Sequence, residues 1–147
     1  MAQNFVGSNN INLLMPNGQF GSRYVGGKDH ASARYIFTAL NRVARMIYPE
    51  PDDHVLTYVE DDGQIVEPEY YMPIIPMVLV NGCQGIGTGW STYIPNFNPR
   101  ELCDVIKRKL KDQDFPVIHP WYKNYTGEII PNEGLASYTI TGNCYIS

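Results

Sequence analysis

The adjacent pair Arg34–Tyr35 has side chains suited to covalent chemistry on a phosphate. A tyrosine hydroxyl has a pKa of about 10, so it is a poor nucleophile at neutral pH without help. A neighbouring guanidinium supplies that help, because it stabilises a phenolate or the charge that develops on an attacked phosphate. From spacing alone, a buried strand tyrosine beside a surface arginine is the better interpretation, because the chain contains eleven tyrosines and no physical feature singles out this one.

Metal and triad chemistry have little support in the sequence. The chain contains no GxSxG, no HExxH, no Walker lysine loop and no zinc-ligand spacing. Its three histidines lie far apart, and its three cysteines form no CxxC pair, which is typical of reduced thiols in an intracellular protein. The acidic run Glu60–Asp62 has the side chains for a divalent ion, but a solvated hairpin turn is favoured there. We therefore predict no metal site in this chain.

Charge is distributed unevenly along the 147 residues, whose net charge is −4. Residues 1–45 carry a net charge of +4, residues 46–75 carry −8, and the charges of residues 76–147 balance. A basic segment can bind phosphate groups even in a chain that is acidic overall. No apolar run reaches the roughly 18–20 residues of a membrane span, and the start of the chain lacks the features of a secretory signal, so we expect no membrane association.

The elements that must position Arg34 and Tyr35 are weakly signalled. Residues 1–30 are rich in Gly and Asn, which predicts loops and turns. Residues 34–40 are aromatic and β-branched and favour an extended strand. Asn41 then has the features of an N-cap for a helix that Pro49 ends. A single helix over residues 35–48 is an alternative that periodicity does not exclude.

A hairpin is predicted next. Residues 54–59 alternate like a strand, residues 60–64 form a turn with Asp62-Gly63 at its tip, and residues 65–66 begin the returning strand. Farther on, Met77–Val80 has the Val and Leu content of a short buried strand, and the four glycines of residues 82–91 predict a loop or bent turn.

The clearest local signal in the chain is a helix start at residue 98. Asn98 is the N-cap, Pro99 occupies the first helical position and Glu101 completes a capping box, so the helix should run to about Lys111. Its inward face should consist of Leu102, Val105, Ile106 and Leu110. Residues 137–140 have strand-like composition, and the chain stops in what resembles the middle of a strand. We therefore expect a piece of a larger protein with a boundary near residues 65–75.

Long collinear blocks of the sequence resemble eukaryotic DNA topoisomerase II. The similarity covers about residues 3–112 and is patchy beyond Phe115. The GQFG…RY portion is also similar to bacterial gyrase, which indicates the type IIA superfamily. The blocks are NFVGSNNINLLMPNGQFGSRYVGGKDHASARYIFTAL, VEPEYYMPIIPMVLVNG and GIGTGWSTYIPNFNPRE.

The resemblance implies an α+β fold in a fragment of a larger chain. Residues 1–65 would be a winged-helix domain, with a helix-turn-helix and a β-wing, that carries the nucleophilic tyrosine. Residues 66–147 would be the truncated beginning of a mixed α/β tower domain.

The resemblance also implies the chemistry. Tyr35 would attack the DNA backbone to form a transient 5′-phosphotyrosyl link, Arg34 would stabilise the transition state, and Ile86 would wedge between base pairs and bend the duplex. Gly85 and Gly87, which flank Ile86, would allow a close approach to the bases. Phosphate contacts are expected from four further basic residues, Arg23, Lys28, Arg42 and Arg45.

The parent protein would be an ATP-hydrolysing, homodimeric, nuclear DNA topoisomerase that breaks, passes and reseals double-stranded DNA. Mg²⁺ and ATP would both bind outside this fragment, which would be inactive alone. A non-catalytic DNA-binding winged-helix module and a dimer scaffold are the alternatives.

The proposed roles of Arg34 and Tyr35 impose one geometric condition. Adjacent residues of a regular strand point to opposite faces, so these two side chains can contact one phosphate only at a strand end or bend. The small residues 31–33 make such an irregular start plausible.

Overall fold

Three separate two-stranded antiparallel sheets and three α-helices form most of the regular structure in the computed structural model, which describes residues 1–134 and 137–145. The hairpins pair β1 (Tyr58–Asp61) with β2 (Gln64–Pro68), β3 (Cys83–Gly87) with β4 (Trp90–Ile94), and β5 (Glu128–Pro131) with β6 (Tyr138–Thr141). The α-helices are α1 (Ala44–Ile47), α2 (Met77–Asn81) and α3 (Pro99–Lys109). Three 3₁₀-helices cover Arg23–Val25, Ala33–Tyr35 and Glu50–Val55. This mixture confirms the predicted α+β class.

The segment around Arg34–Tyr35 differs from the predicted strand over residues 34–40. Ala33–Tyr35 winds into a 3₁₀-helix, in which the Tyr35 amide donates to the Ser32 carbonyl at 2.9 Å. The chain becomes extended only at Ile36, and residues 37 and 40 then form isolated antiparallel bridges with Asn17 and Leu14. Strand propensity is therefore overridden at the first two residues by a local turn. The alternative helix over residues 35–48 is not formed.

Helix α1 is a single turn whose N-cap is Val43, so the predicted N-cap at Asn41 is two residues too early, in the turn that leads into the helix. The Asn41 side chain accepts a hydrogen bond from the Val43 amide at 3.3 Å, and its carbonyl accepts from the Ala44 amide at 2.9 Å. The helix ends at Ile47, shortly before Pro49, as expected. Residues 44 and 47 are buried.

The first hairpin forms around the predicted Asp62-Gly63 turn. Both residues have positive φ, 47° and 76°, as a type I′ turn requires. Strand β1 begins at Tyr58 rather than at residue 54, because the 3₁₀-helix occupies the chain as far as Val55. The predicted domain boundary at residue 65 lies within β2, and the division into winged-helix and tower domains stays a prediction.

Two predictions in the second half are wrong. Met77–Asn81 is a helix rather than a buried strand: it begins directly after Pro76, whose carbonyl accepts from the amides of Leu79 and Val80. Short apolar runs do not distinguish a strand from a buried helix, which explains the error. Residues 82–91 do not form a loop but supply most of the β3–β4 hairpin. The prediction failed because glycine-rich composition is typical of loops and did not indicate a hairpin.

Helix α3 confirms the predicted helix start, with Asn98 as its N-cap. The Asn98 side chain accepts a hydrogen bond from the Arg100 amide at 3.0 Å, and Pro99 is the first helical residue. Leu102 is buried as predicted, whereas Leu110 lies beyond the helix end and is exposed, contrary to its predicted inward position. Among the described residues, no helix has both the length and the apolar character needed to cross a bilayer.

Candidate nucleic-acid interface

Arg34 and Tyr35 lie at the bend that shared access to one phosphate requires. They are consecutive residues of a 3₁₀-helix, which has about three residues per turn, so their side chains do not point in opposite directions as on a strand. The Arg34 Cζ lies 4.8 Å from the centroid of the Tyr35 ring. Tyr35 is 64% exposed, so much of the residue is accessible to solvent. The guanidinium and the phenol therefore form one accessible site.

A closed, structured loop precedes this pair. The Ala31 amide donates to the Gln19 carbonyl at 2.9 Å and closes the loop at its base. Inside it, the Asp29 carboxylate accepts from both the backbone amide and the hydroxyl of Ser22, each at 2.7 Å, and these bonds lower the pKa of Asp29. The loop leaves Arg23 and Lys28 exposed, a few residues before the 3₁₀-helix that holds the tyrosine.

The two arginines near α1 are in different electrostatic environments. Arg45 forms a two-pronged pair with Asp53, with Nη2–Oδ2 and Nη1–Oδ1 distances of 2.6 and 3.4 Å. This hydrogen bonding raises the pKa of Arg45 and lowers the pKa of Asp53. Arg42 is exposed and makes no ion pair within the described residues. Arg42 is thus open to a phosphate, whereas Arg45 already has an anionic partner.

Ile86 is the penultimate residue of β3 and is 86% exposed. It is paired across the hairpin with Ser91, so alternation places Gln84 and Tyr93 on its face and Trp90 on the opposite face. Gly85 and Gly87 have no crowded neighbours: a Cβ at Gly85 would meet nothing within 4 Å. No Asp or Glu occurs between Glu69 and Glu101, so this hairpin carries no acidic side chain that would repel a phosphate backbone.

Sequence reasoning missed the residues that hold this hairpin to the first part of the chain. Asn10 and Asn96 are buried and make hydrogen bonds across 70 or more residues of sequence. Asparagine in a Gly- and Asn-rich stretch is a turn signal, and no local pattern distinguishes a buried asparagine from one in a loop.

Comparisons with known proteins identify the family. All residues, 1–147, match the family described as the A-type subunit of DNA gyrase/topoisomerase IV. The chain is 58% identical over 145 residues to DNA topoisomerase 2 of Arabidopsis thaliana, which covers 97% of this chain and 10% of that protein. It is 56% identical over 129 residues to DNA topoisomerase 2 of Saccharomyces cerevisiae, covering 88% of this chain and 9% of that protein.

A solved structure extends the likeness to three dimensions. The Plasmodium falciparum topoisomerase II DNA-binding, cleavage and re-ligation domain has a TM-score of 0.84 and 53% identity, and the match covers 90% of this chain and 18% of that one. The chain spans about a tenth of the length of the curated relatives that it matches. With a match along its full length, this chain belongs to the DNA gyrase/topoisomerase IV family.

Proposed function

We propose that this chain is part of the DNA breakage and resealing region of an ATP-dependent type II DNA topoisomerase, and that Tyr35 is the nucleophile. The observation that carries the proposal is the exposed tyrosine ring with the Arg34 guanidinium 4.8 Å from its centroid, in a chain more than 50% identical to proteins named DNA topoisomerase 2. Neither a non-catalytic binding module nor a dimer scaffold is favoured, because neither requires an exposed tyrosine and arginine together.

The proposed reaction exchanges one phosphoester for another. The Tyr35 oxygen attacks a backbone phosphorus, the bond from phosphorus to the 3′ oxygen breaks, and the tyrosine becomes joined to the 5′ phosphate. The proton lost by the phenol is balanced by the proton gained by the 3′ hydroxyl that leaves. Because the ester is conserved, attack by that hydroxyl reseals the strand without an external energy source. Such transfers depend mainly on positioning and on charge stabilisation at the phosphate oxygens.

Arg34 supplies the charge in this proposal. A guanidinium stays protonated and presents a planar fork that matches two phosphate oxygens. Its place one residue before the tyrosine, on the same 3₁₀ turn, supports this role. Removal of a comparable charge-stabilising group in other enzymes costs about 3–4 kcal/mol of barrier.

The remaining candidate residues are proposed to grip and bend the duplex. Exposed Arg23, Lys28 and Arg42 would bind phosphates, with Arg45 reaching one only if it leaves Asp53. Ile86 would enter a base step from the uncharged hairpin, at a cost of a few kcal/mol per unstacked step that apolar contact with the base faces offsets. Double-stranded DNA is thus the proposed partner.

Cofactors and assembly are proposed for the parent protein. Across residues 1–134 and 137–145, no three His, Cys, Asp or Glu side chains gather closely enough to hold a metal ion. We assign Mg²⁺ and ATP to other parts of the parent. One tyrosine per strand requires two copies for a double-strand break, so a homodimer with twofold symmetry is proposed. A nuclear location is proposed because the relatives named above are eukaryotic DNA topoisomerase 2 proteins.

The test replaces single tyrosines in the parent enzyme and measures DNA covalently joined to protein in the presence of Mg²⁺. Tyr35→Phe keeps the ring and should abolish the adduct while leaving DNA binding nearly intact. Tyr24→Phe is the matched control, because Tyr24 is 95% exposed in the neighbouring loop and should still permit the adduct. Arg34→Lys should rescue Arg34→Ala poorly. An adduct trapped by Tyr35→Phe would mean that another tyrosine is the nucleophile.

A further inference from the structure

One stretch of backbone, residues 8–17, contacts both the hairpin that carries Ile86 and the chain that follows Tyr35. We call it the connecting segment. Its first half makes side-chain-mediated hydrogen bonds to both legs of the β3–β4 hairpin, by which we mean residues 80–81 before β3 and residues 96–97 after β4. Its second half is paired with residues 37–41. No helix or strand lies within the connecting segment between these two hydrogen-bonded regions.

Asn10 is the central contact at the hairpin end. Its side-chain nitrogen lies 2.9, 3.1 and 3.0 Å from the carbonyl oxygens of Val80, Phe97 and Trp121, and its side-chain oxygen accepts from the Lys123 amide at 2.9 Å. The residue is only 5% exposed. A buried amide with this many partners holds the backbones around it at defined separations, because each lost bond would leave a buried polar group unpaired.

Two more asparagines bind the connecting segment from the legs of the hairpin. Asn81, directly before the hairpin, accepts from the Ile11 amide and donates to the Ile11 carbonyl, both at 2.9 Å. Asn96, just after β4, donates to the Ser8 carbonyl at 3.1 Å. Each leg is therefore attached to the same few residues, which restricts how the hairpin can pivot.

The other end of the connecting segment is bonded to the chain beyond the tyrosine. The Asn17 amide donates to the Phe37 carbonyl at 3.1 Å, and the Phe37 amide donates back at 2.9 Å. The Met15 amide donates to the Ala39 carbonyl at 2.9 Å. Phe37 is two residues after Tyr35, so this pairing holds the extended chain that directly follows the 3₁₀ turn with the tyrosine.

We propose that Asn10 and Asn81 are positioning residues that set the place of Ile86 relative to Tyr35, so that one duplex meets the wedge and the nucleophile together. This inference depends on the proposed function. Asn17 is seven positions after Asn10, so these two residues lie at most about 25 Å apart along the segment. A misplacement of about 1 Å at a reacting centre can cost roughly 100-fold in rate, which makes such a link consequential.

The test uses the parent enzyme with two DNA substrates. One is an intact duplex, and the other carries a two-nucleotide bulge at the base step that the wild-type enzyme opens. That base step is located beforehand with a stacking-sensitive chemical probe. Asn81→Ala removes two hydrogen bonds to the connecting segment, and Asn10→Asp removes the donor to three carbonyls. The matched control is Asn132→Ala, which also removes two side-chain hydrogen bonds, to Ser137 and Thr139, in the β5–β6 hairpin. Bend angle by fluorescence transfer and the amount of covalent adduct are measured on both duplexes.

Asn81→Ala should lower cleavage of the intact duplex about 10- to 100-fold and broaden the bend-angle distribution. On the bulged duplex, cleavage by this variant should recover at least tenfold. Asn132→Ala should cleave both duplexes like wild type. Equal loss of cleavage on both duplexes, or no loss on either duplex, would overturn the inference. If Asn10→Asp does not fold, Asn81→Ala alone provides the test. If wild type forms no Tyr35 adduct, the proposed function fails instead.

Discussion

Gly82→Ala should displace or unfold the β3–β4 hairpin. Gly82 has φ 70° and ψ 174°, a region that is essentially restricted to glycine and costs other residues about 1–3 kcal/mol. A Cβ there would also lie 2.5 Å from the Asn96 Oδ1 and 2.7 Å from the Ile94 carbonyl oxygen. The second atom is backbone, and Asn96 cannot move away without weakening its bond to Ser8.

The expected loss for Gly82→Ala is about 2–6 kcal/mol of local stability, because an overpacking cost of roughly 1–3 kcal/mol adds to the backbone strain. Two glycines of the same hairpin provide graded controls. Gly89 has φ 79° but an open Cβ position, so Gly89→Ala should cost about 1–2 kcal/mol. Gly85 has neither a positive φ nor a close neighbour, so Gly85→Ala should change stability by less than about 0.5 kcal/mol.

Hydrogen exchange measured by mass spectrometry on the parent protein, over peptides that span residues 78–97, reports this local stability. A loss of about 3 kcal/mol corresponds to roughly 150-fold faster exchange of the hairpin amides. The order Gly82→Ala, Gly89→Ala, Gly85→Ala, from fastest to slowest, is the expected result. Equal exchange in Gly82→Ala and Gly85→Ala would refute the reasoning from backbone angle and Cβ contact.

Two further predictions concern DNA binding by the parent. Ile86→Ala should reduce the bend measured by fluorescence transfer and the amount of cleavage more than it reduces affinity, because phosphate contacts dominate binding; a wild-type bend would leave Ile86 without a wedge role. Arg42→Ala should lower the slope of log affinity against log salt by about 0.9, the value for one phosphate contact, whereas Arg45→Ala should leave the slope unchanged because Asp53 already occupies its guanidinium. Equal slope changes for the two arginines would contradict this difference.

Local signals were strong enough to predict several features from the sequence. The Asp62-Gly63 turn formed because two consecutive positive φ angles favour these residue types. Helix α3 begins at Pro99, directly after its N-cap Asn98, because the side-chain cap and the proline act within three residues of each other. The collinear blocks around Arg34–Tyr35 led to the family that the comparisons confirm.

Chemistry at the proposed site was not predictable from spacing. The composition of residues 34–40 favoured a strand, whereas the bend at Arg34–Tyr35 is held by backbone hydrogen bonds from Tyr35 to Ser32 and from Ile36 to Ala33. The roles of Tyr35, Arg34 and Ile86 came from resemblance and stay predictions.

Only the tertiary structure decided what joins the parts of the site. Composition marked Met77–Val80 as a strand and residues 82–91 as a loop, yet the chain forms a helix and a hairpin there. The hydrogen bonds of Asn10 cross 70 to 113 residues, and the partner of Arg45 is chosen by where the 3₁₀-helix over Glu50–Val55 lies. Such contacts leave no local pattern, because their free energy exists only after distant segments have packed together.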